Sequence, residues 1–84
     1  MSYFVYILEC NDGSLYTGIT KDVQKRLDEH NTSYKGAKYT KARRPVKLLY
    51  QEPSSDRSSA SKREYEIKKL TRSKKIELIQ KSIS

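Results

Sequence analysis

The sequence predicts an α+β chain built from a β-hairpin, a third strand and three helices. Three observations carry this expectation. Tyr3 to Glu9 alternate β-branched and aromatic side chains, which is strand composition. Cys10-Asn11-Asp12-Gly13-Ser14 is turn chemistry leading into a second strand, Leu15 to Thr20. From about Asp56 to Leu70 the pattern is helical, with Ala60, Glu64 and Ile67 recurring on one face.

The remaining elements follow in order. Thr20 or Asp22 caps a helix running to about Asn31. Ser33 to Pro45 reads as a polar, basic connection containing Gly36 and the run Lys41-Ala42-Arg43-Arg44. Val46 to Gln51 reads as a third strand ended by Pro53 and the serines, and Lys74 to Ile83 as a shorter terminal helix. The turn also sets the hairpin register. Asn-Asp-Gly suits a type I turn with Gly13 in the left-handed region, which places Leu8 opposite Tyr16 and Tyr6 opposite Gly18. Tyr6 and Tyr16 then share one face as diagonal neighbours, while Val5, Ile7, Leu15 and Ile19 form an apolar surface on the other. A turn one residue shorter would separate the tyrosines.

Composition bounds the function. Eighty-four residues are expected to make a single domain, residues 1–84, with a thin core, since only 35% are hydrophobic and the mean hydropathy is −0.91. No stretch approaches the ~20 apolar residues of a membrane span and no signal peptide opens the chain, so no membrane partner is expected. One cysteine, Cys10, allows no internal disulfide and points to a reducing cytoplasm. Eighteen Lys and Arg against ten Asp and Glu give a net charge of +8, the footprint of a polyanion partner such as nucleic acid. The competing reading of that charge is simple solubility.

Several side chains are candidates for chemistry. On the first helix Arg26 and His30 stack four residues apart beside the Val23 and Leu27 stripe. Glu64 falls on the inward face of the later helix, where a carboxylate needs a partner, a proton or a cation. Each also has an ordinary reading. Strand tyrosines usually pack, and there are seven tyrosines here. Arg26 fits a solvated helix residue, His30 a surface or hydrogen-bonded histidine, and Glu64 can pair with Lys68 at i+4.

The joint order of these residues is more specific than any one of them. Tyr6-Ile7-Leu8, then Tyr16-Thr17-Gly18, Lys21, Arg26 to His30 and the distant Glu64 resemble the GIY-YIG nuclease domain from about Tyr3 to Leu70. Phe4 stands where the first motif has glycine, and Thr17 where the second has isoleucine. Gly36-Ala37-Lys38-Tyr39-Thr40 with Arg43-Arg44-Pro45 is similar to the small stand-alone bacterial branch, with some likeness to members that cut branched DNA.

The resemblance implies a three-stranded antiparallel sheet flanked by helices, and an endonuclease that hydrolyses DNA phosphodiesters. Tyr6 would be the general base, Tyr16 would position water or phosphate, and Arg26 would fork onto the phosphate. His30 would hold the Tyr6 phenol or relay its proton. Lys21 and Arg26 would supply the positive charge that a phenol of pKa ~10 needs to accept a proton. Glu64 would hold a single Mg²⁺ or Mn²⁺. Lys21, Lys35, Lys38, Tyr39, Lys41, Arg43 and Arg44 would contact nucleic acid, and Lys68-Lys69 to Lys74-Lys75 would be a solvated helix face. The substrate would be branched or nicked DNA met in repair or recombination, with targeting by substrate shape or a second protein. The alternative is a binding module of the same fold with little activity alone.

Overall fold

A computed structural model describes residues 2–83, Ile83 in its backbone alone. The elements run β1 (Tyr3–Glu9), β2 (Leu15–Thr20), α1 (Val23–Thr32), α2 (Lys38–Lys41), β3 (Lys47–Ser54), α3 (Arg57–Lys69) and α4 (Arg72–Ile83). The strands form one antiparallel sheet in the order β2-β1-β3, so the hairpin's first strand is central.

The turn chemistry sets the hairpin. Gly13 sits at φ +84°, its N–H donates to the Cys10 carbonyl, and the Cys10 N–H donates to Ser14 O. A residue with a Cβ is strained at that φ. Leu8 accordingly pairs with Tyr16 and Tyr6 with Gly18. Because side chains alternate along a strand, this register sorts the sheet into two faces. Val5, Ile7, Leu15 and Ile19 pack against Ala60 and Ile67 of α3 and Leu78 and Ile79 of α4. Tyr6, Leu8, Cys10 and Tyr16 pack on the other face with Leu27 of α1.

Caps fix where the helices start. Asp22, rather than Thr20, caps α1 by accepting from the Lys25 N–H, while the Thr20 hydroxyl accepts from the Asp22 N–H. Asp56 caps α3 through the Ser59 N–H, and Thr71 accepts from the Lys74 N–H at the start of α4. α4 therefore begins at Arg72, two residues before the sequence pattern places it.

Two further boundaries differ from expectation. β3 does not stop at Pro53; Pro53 pairs with Phe4 and the strand continues to Ser54. An edge strand tolerates a residue without an N–H. A register shift opposite Ile7 and Leu8 leaves Leu49 as the extra residue of a bulge, and both Leu49 and Tyr50 pack with the α3 and α4 core. The Ser33–Pro45 connection also contains α2, a single helical turn.

One core position is chemically mismatched. Thr17 points from β2 into the apolar face, is 3% exposed, and its hydroxyl has no hydrogen-bond partner. An unpaired buried hydroxyl costs about 1–3 kcal/mol, and valine has nearly the same shape. Thr17→Val should raise the unfolding free energy by about 1–2 kcal/mol in urea titrations. A loss of stability would show that the hydroxyl is satisfied.

Candidate active site

The site grows from the packing of α1 on the tyrosine face of the hairpin. Gly18 comes first, because the Tyr6 side chain lies directly over it. A Cβ at Gly18 would stand 2.5 Å from the Tyr6 hydroxyl and 2.7 Å from its Cζ. Only glycine lets the phenol cross β2 to meet α1. There the Tyr6 hydroxyl lies 2.8 Å from His30 Nε2. Both side chains are buried, at 2% and 0% exposure.

The far side of the imidazole sets its tautomer. His30 Nδ1 lies 2.8 Å from Thr40 Oγ1, and the Thr40 hydroxyl donates to the Ala37 carbonyl at 2.9 Å. With its only hydrogen given to Ala37, Thr40 accepts, so His30 carries its proton on Nδ1. Nε2 is then the acceptor for the Tyr6 O–H. The result is a one-way chain from Tyr6 through His30 and Thr40 to the backbone of α2. Tyr16 lies beside it, with ring centroids 5.2 Å from His30 and 6.1 Å from Tyr39.

Electrostatics keep both partners neutral. Burial pushes the Tyr6 phenol up to about 12; the Arg26 guanidinium pulls down as donor and charge, and Tyr16 and Glu64 push up. Burial also pushes His30 down to about 4, helped by the positive charges of Arg26 and Arg44 and opposed by Glu29. The expected cationic activation of Tyr6 is therefore outweighed by desolvation. The basic atom of the pair is His30 Nε2, not a phenolate oxygen.

Arg26 is half-buried next to this pair. Its Nη1 donates to Glu29 Oε1 at 3.0 Å and to the Lys35 carbonyl at 2.8 Å. That orders the guanidinium and leaves the rest of its fork for Tyr6. Glu64 is half-buried on α3, and its negative charge is felt at Tyr6. Its direct partner is Lys68 Nζ at 3.4 Å, and it makes no hydrogen bond to the tyrosines, Arg26 or His30. Among the described residues no three His, Cys, Asp or Glu side chains gather as a metal group. A cation here would have Glu64 as its one carboxylate, which fits Mg²⁺ keeping most of its waters.

The basic residues divide into groups. Lys35, Lys38 and Lys41 are exposed along the connection, and Tyr39 is 40% exposed. Arg43 pairs with Asp12 at 3.0 Å and lies 3.9 Å over the Tyr39 ring, clipping the hairpin turn to α2. Two residues have partners that the sequence reading does not give them. Lys21 lies 5.4 Å over the Tyr3 ring. Arg44 is directed at the end of α1, where it donates to the carbonyls of Glu29, His30 and Ser33, so its guanidinium closes a helix terminus.

Three contributors are given no role by sequence reasoning: Thr40, Glu29 and Asn31. The Asn31 amide pairs with both the N–H and the carbonyl of Val46, tying α1 to the strand that follows. A Cβ at Gly36 would meet the Glu29 carbonyl at 2.8 Å, so glycine lets the chain turn back against α1. That glycine was the one available signal.

Neutral burial of His30 has a pH signature. Its folded pKa of about 4 lies below the ordinary 6.5, so between those values the unfolded chain binds more protons. This contribution to stability is complete above pH 6.5 and is lost as pH falls towards 4. Urea titrations across that window should show a steeper loss for the native sequence than for His30→Gln. Equal slopes would mean the imidazole is not held neutral.

Comparison with known proteins identifies the family of the chain. The GIY-YIG catalytic domain family matches residues 2–77. The UPF0213 protein SERP0126 of Staphylococcus epidermidis is 62% identical over 78 residues, covering 93% of this chain and 94% of that protein. The UPF0213 protein DP2720 of Desulfotalea psychrophila is 56% identical over 81 residues, covering 96% of this chain and 74% of that protein. A solution NMR structure of a UPF0213 protein from Bacillus halodurans superposes with a TM-score of 0.60 at 48% identity, over 95% of this chain and 84% of that one. A second NMR structure, of a protein from E. faecalis, gives 0.65 at 44% identity, over 96% and 85%. The chain belongs to the GIY-YIG catalytic domain family, within its UPF0213 group.

Proposed function

We propose that this protein is a Mg²⁺-dependent endonuclease that hydrolyses DNA phosphodiester bonds at branched or nicked structures, in repair or recombination. The observation that supports this most is the buried Tyr6–His30–Thr40 chain, with Arg26 beside Tyr6. The chain gives a proton leaving Tyr6 an oriented acceptor, as hydrolysis requires.

In this reading the attacking water lies at the Tyr6 hydroxyl, steadied by Tyr16. Tyr6 takes the water's proton while its own passes to His30 Nε2. The water oxygen bonds to phosphorus and the bond to the leaving oxygen breaks. Arg26 binds the phosphate and stabilises its growing charge. That negative charge also makes His30 a better acceptor than it is in the free protein. The imidazolium then returns its proton through Tyr6 to solvent, and the leaving oxygen takes one up from solvent. Glu64 would hold the metal ion, whose charge favours departure of the leaving oxygen.

Lys35, Lys38 and Lys41 would position the backbone, and Tyr39 would stack on an unpaired base. A free, buried Cys10 fits a reducing cytoplasm. The Glu64–Lys68 ion pair favours a second reading, a binding module in which the glutamate stays engaged until a partner protein or a particular DNA structure releases it.

A cleavage panel of linear, nicked, flapped and four-way DNA with Mg²⁺ or Mn²⁺ tests the enzyme. Glu64→Ala should abolish cleavage while keeping the fold and most of the DNA affinity. Arg26→Ala should lower the rate by about 10²–10³-fold, the loss typical of one preorganised charge. Residual activity of Glu64→Ala equal to the native protein's would remove the enzymatic reading.

A further inference from the structure

Charge is unevenly distributed along this chain. From Arg57 to Ser84 there are nine Lys and Arg against three Glu, a net +6 of the whole chain's +8. Most of the excess charge therefore lies on α3 and α4, which cover the sheet face opposite Tyr6 and Tyr16. Within α3, Ala60 and Ile67 are buried against the sheet, so Lys62, Tyr65 and Lys69 line the outer side. Arg72 is exposed at the first turn of α4, three residues after Lys69.

These cations are not taken up by neighbouring acids. The glutamates of α3 and α4 pair with Arg63, Lys68 and Lys74. Lys62 and Arg72 make no ion pair among the described residues, and Lys69 lies 4.5 Å over the ring of Tyr65, which is 60% exposed. An exposed aromatic ring that carries a lysine, between two unpaired cations, is a poor solvated face and a good surface for phosphates and sugars.

We infer that Lys62, Tyr65, Lys69 and Arg72 form a second binding surface for a DNA duplex, on the side of the molecule away from the candidate active site. This deepens the endonuclease reading and rests on it for its meaning. The molecule measures 30 × 27 × 23 Å, whereas a duplex stays nearly straight over about 500 Å. One straight duplex cannot lie on both faces of so small a body. Occupying both takes two arms leaving a junction or two separate duplexes, and a selectivity for branched DNA follows from that geometry.

The experiment counts short duplexes of about ten base pairs, one helical turn, bound per chain in metal-free buffer, by calorimetry and sedimentation. The salt dependence of affinity is measured alongside. The native protein should bind two, and the triple variant Lys62→Gln, Lys69→Gln, Arg72→Gln should bind one. The salt slope should fall by about 2–3, since each lost phosphate contact removes about 0.9. All three side chains are exposed, so circular dichroism should be unchanged. One duplex bound by both proteins with the same slope overturns the inference and leaves the active-site reading intact. One bound by the native protein and none by the variant supports this surface while removing DNA from the tyrosine face. Absence of binding by either protein overturns the inference.

Discussion

The structure depends on a hydrogen bond given by the Tyr6 hydroxyl to His30 Nε2 inside an otherwise apolar layer. Burying a phenol and an imidazole together is unfavourable unless each donor finds its acceptor. The fold meets that condition at several separate points. Gly18 clears the path of the ring, α1 presents the imidazole, and Thr40 takes the Nδ1 proton and passes its own hydrogen to a backbone carbonyl. Removing any one of these leaves a buried polar group unpaired. The one-turn helix α2, the glycine at position 36 and the Arg44 guanidinium on the end of α1 thus serve a single purpose: they hold the loop carrying Thr40 against His30.

How much of this was legible in the sequence depended on whether local chemistry or chain path decided the outcome. The hairpin register was legible because Asn-Asp-Gly suits a three-residue loop with Gly13 at positive φ, and with it came the pairing of Tyr6 with Gly18. The two amphipathic patterns predict α1 and α3, while the choice of Asp22 over Thr20 and the capping by Asp56 come from the folded chain. Four residues are too few to show periodicity, so α2 could not be read. Pro53 looked like a strand end because a central strand would exclude it; β3 is an edge. Arg44 looked like a phosphate contact because sequence shows a charge but not the carbonyls the folded chain brings to it.

The electrostatics change the division of labour in the site. A phenol beside an arginine invites the idea of a phenolate base, yet desolvation outweighs the guanidinium and raises Tyr6 to about 12. The same burial lowers His30 to about 4, so the pair rests as neutral donor and neutral acceptor. Such a pair is insensitive to pH across the physiological range and responds to charge that arrives with a substrate. Glu64 stands apart from this cluster, joined to it by its field rather than by contact, which suits a group that would act through an ion.

The state of His30 is the most direct test of this account. Nitrogen-15 NMR of the imidazole reports which nitrogen carries the proton and where the ring titrates. The account requires the Nδ1–H tautomer, with Nε2 accepting from Tyr6 and a midpoint near 4. An Nε2–H tautomer, or a midpoint near the ordinary 6.5, would contradict it.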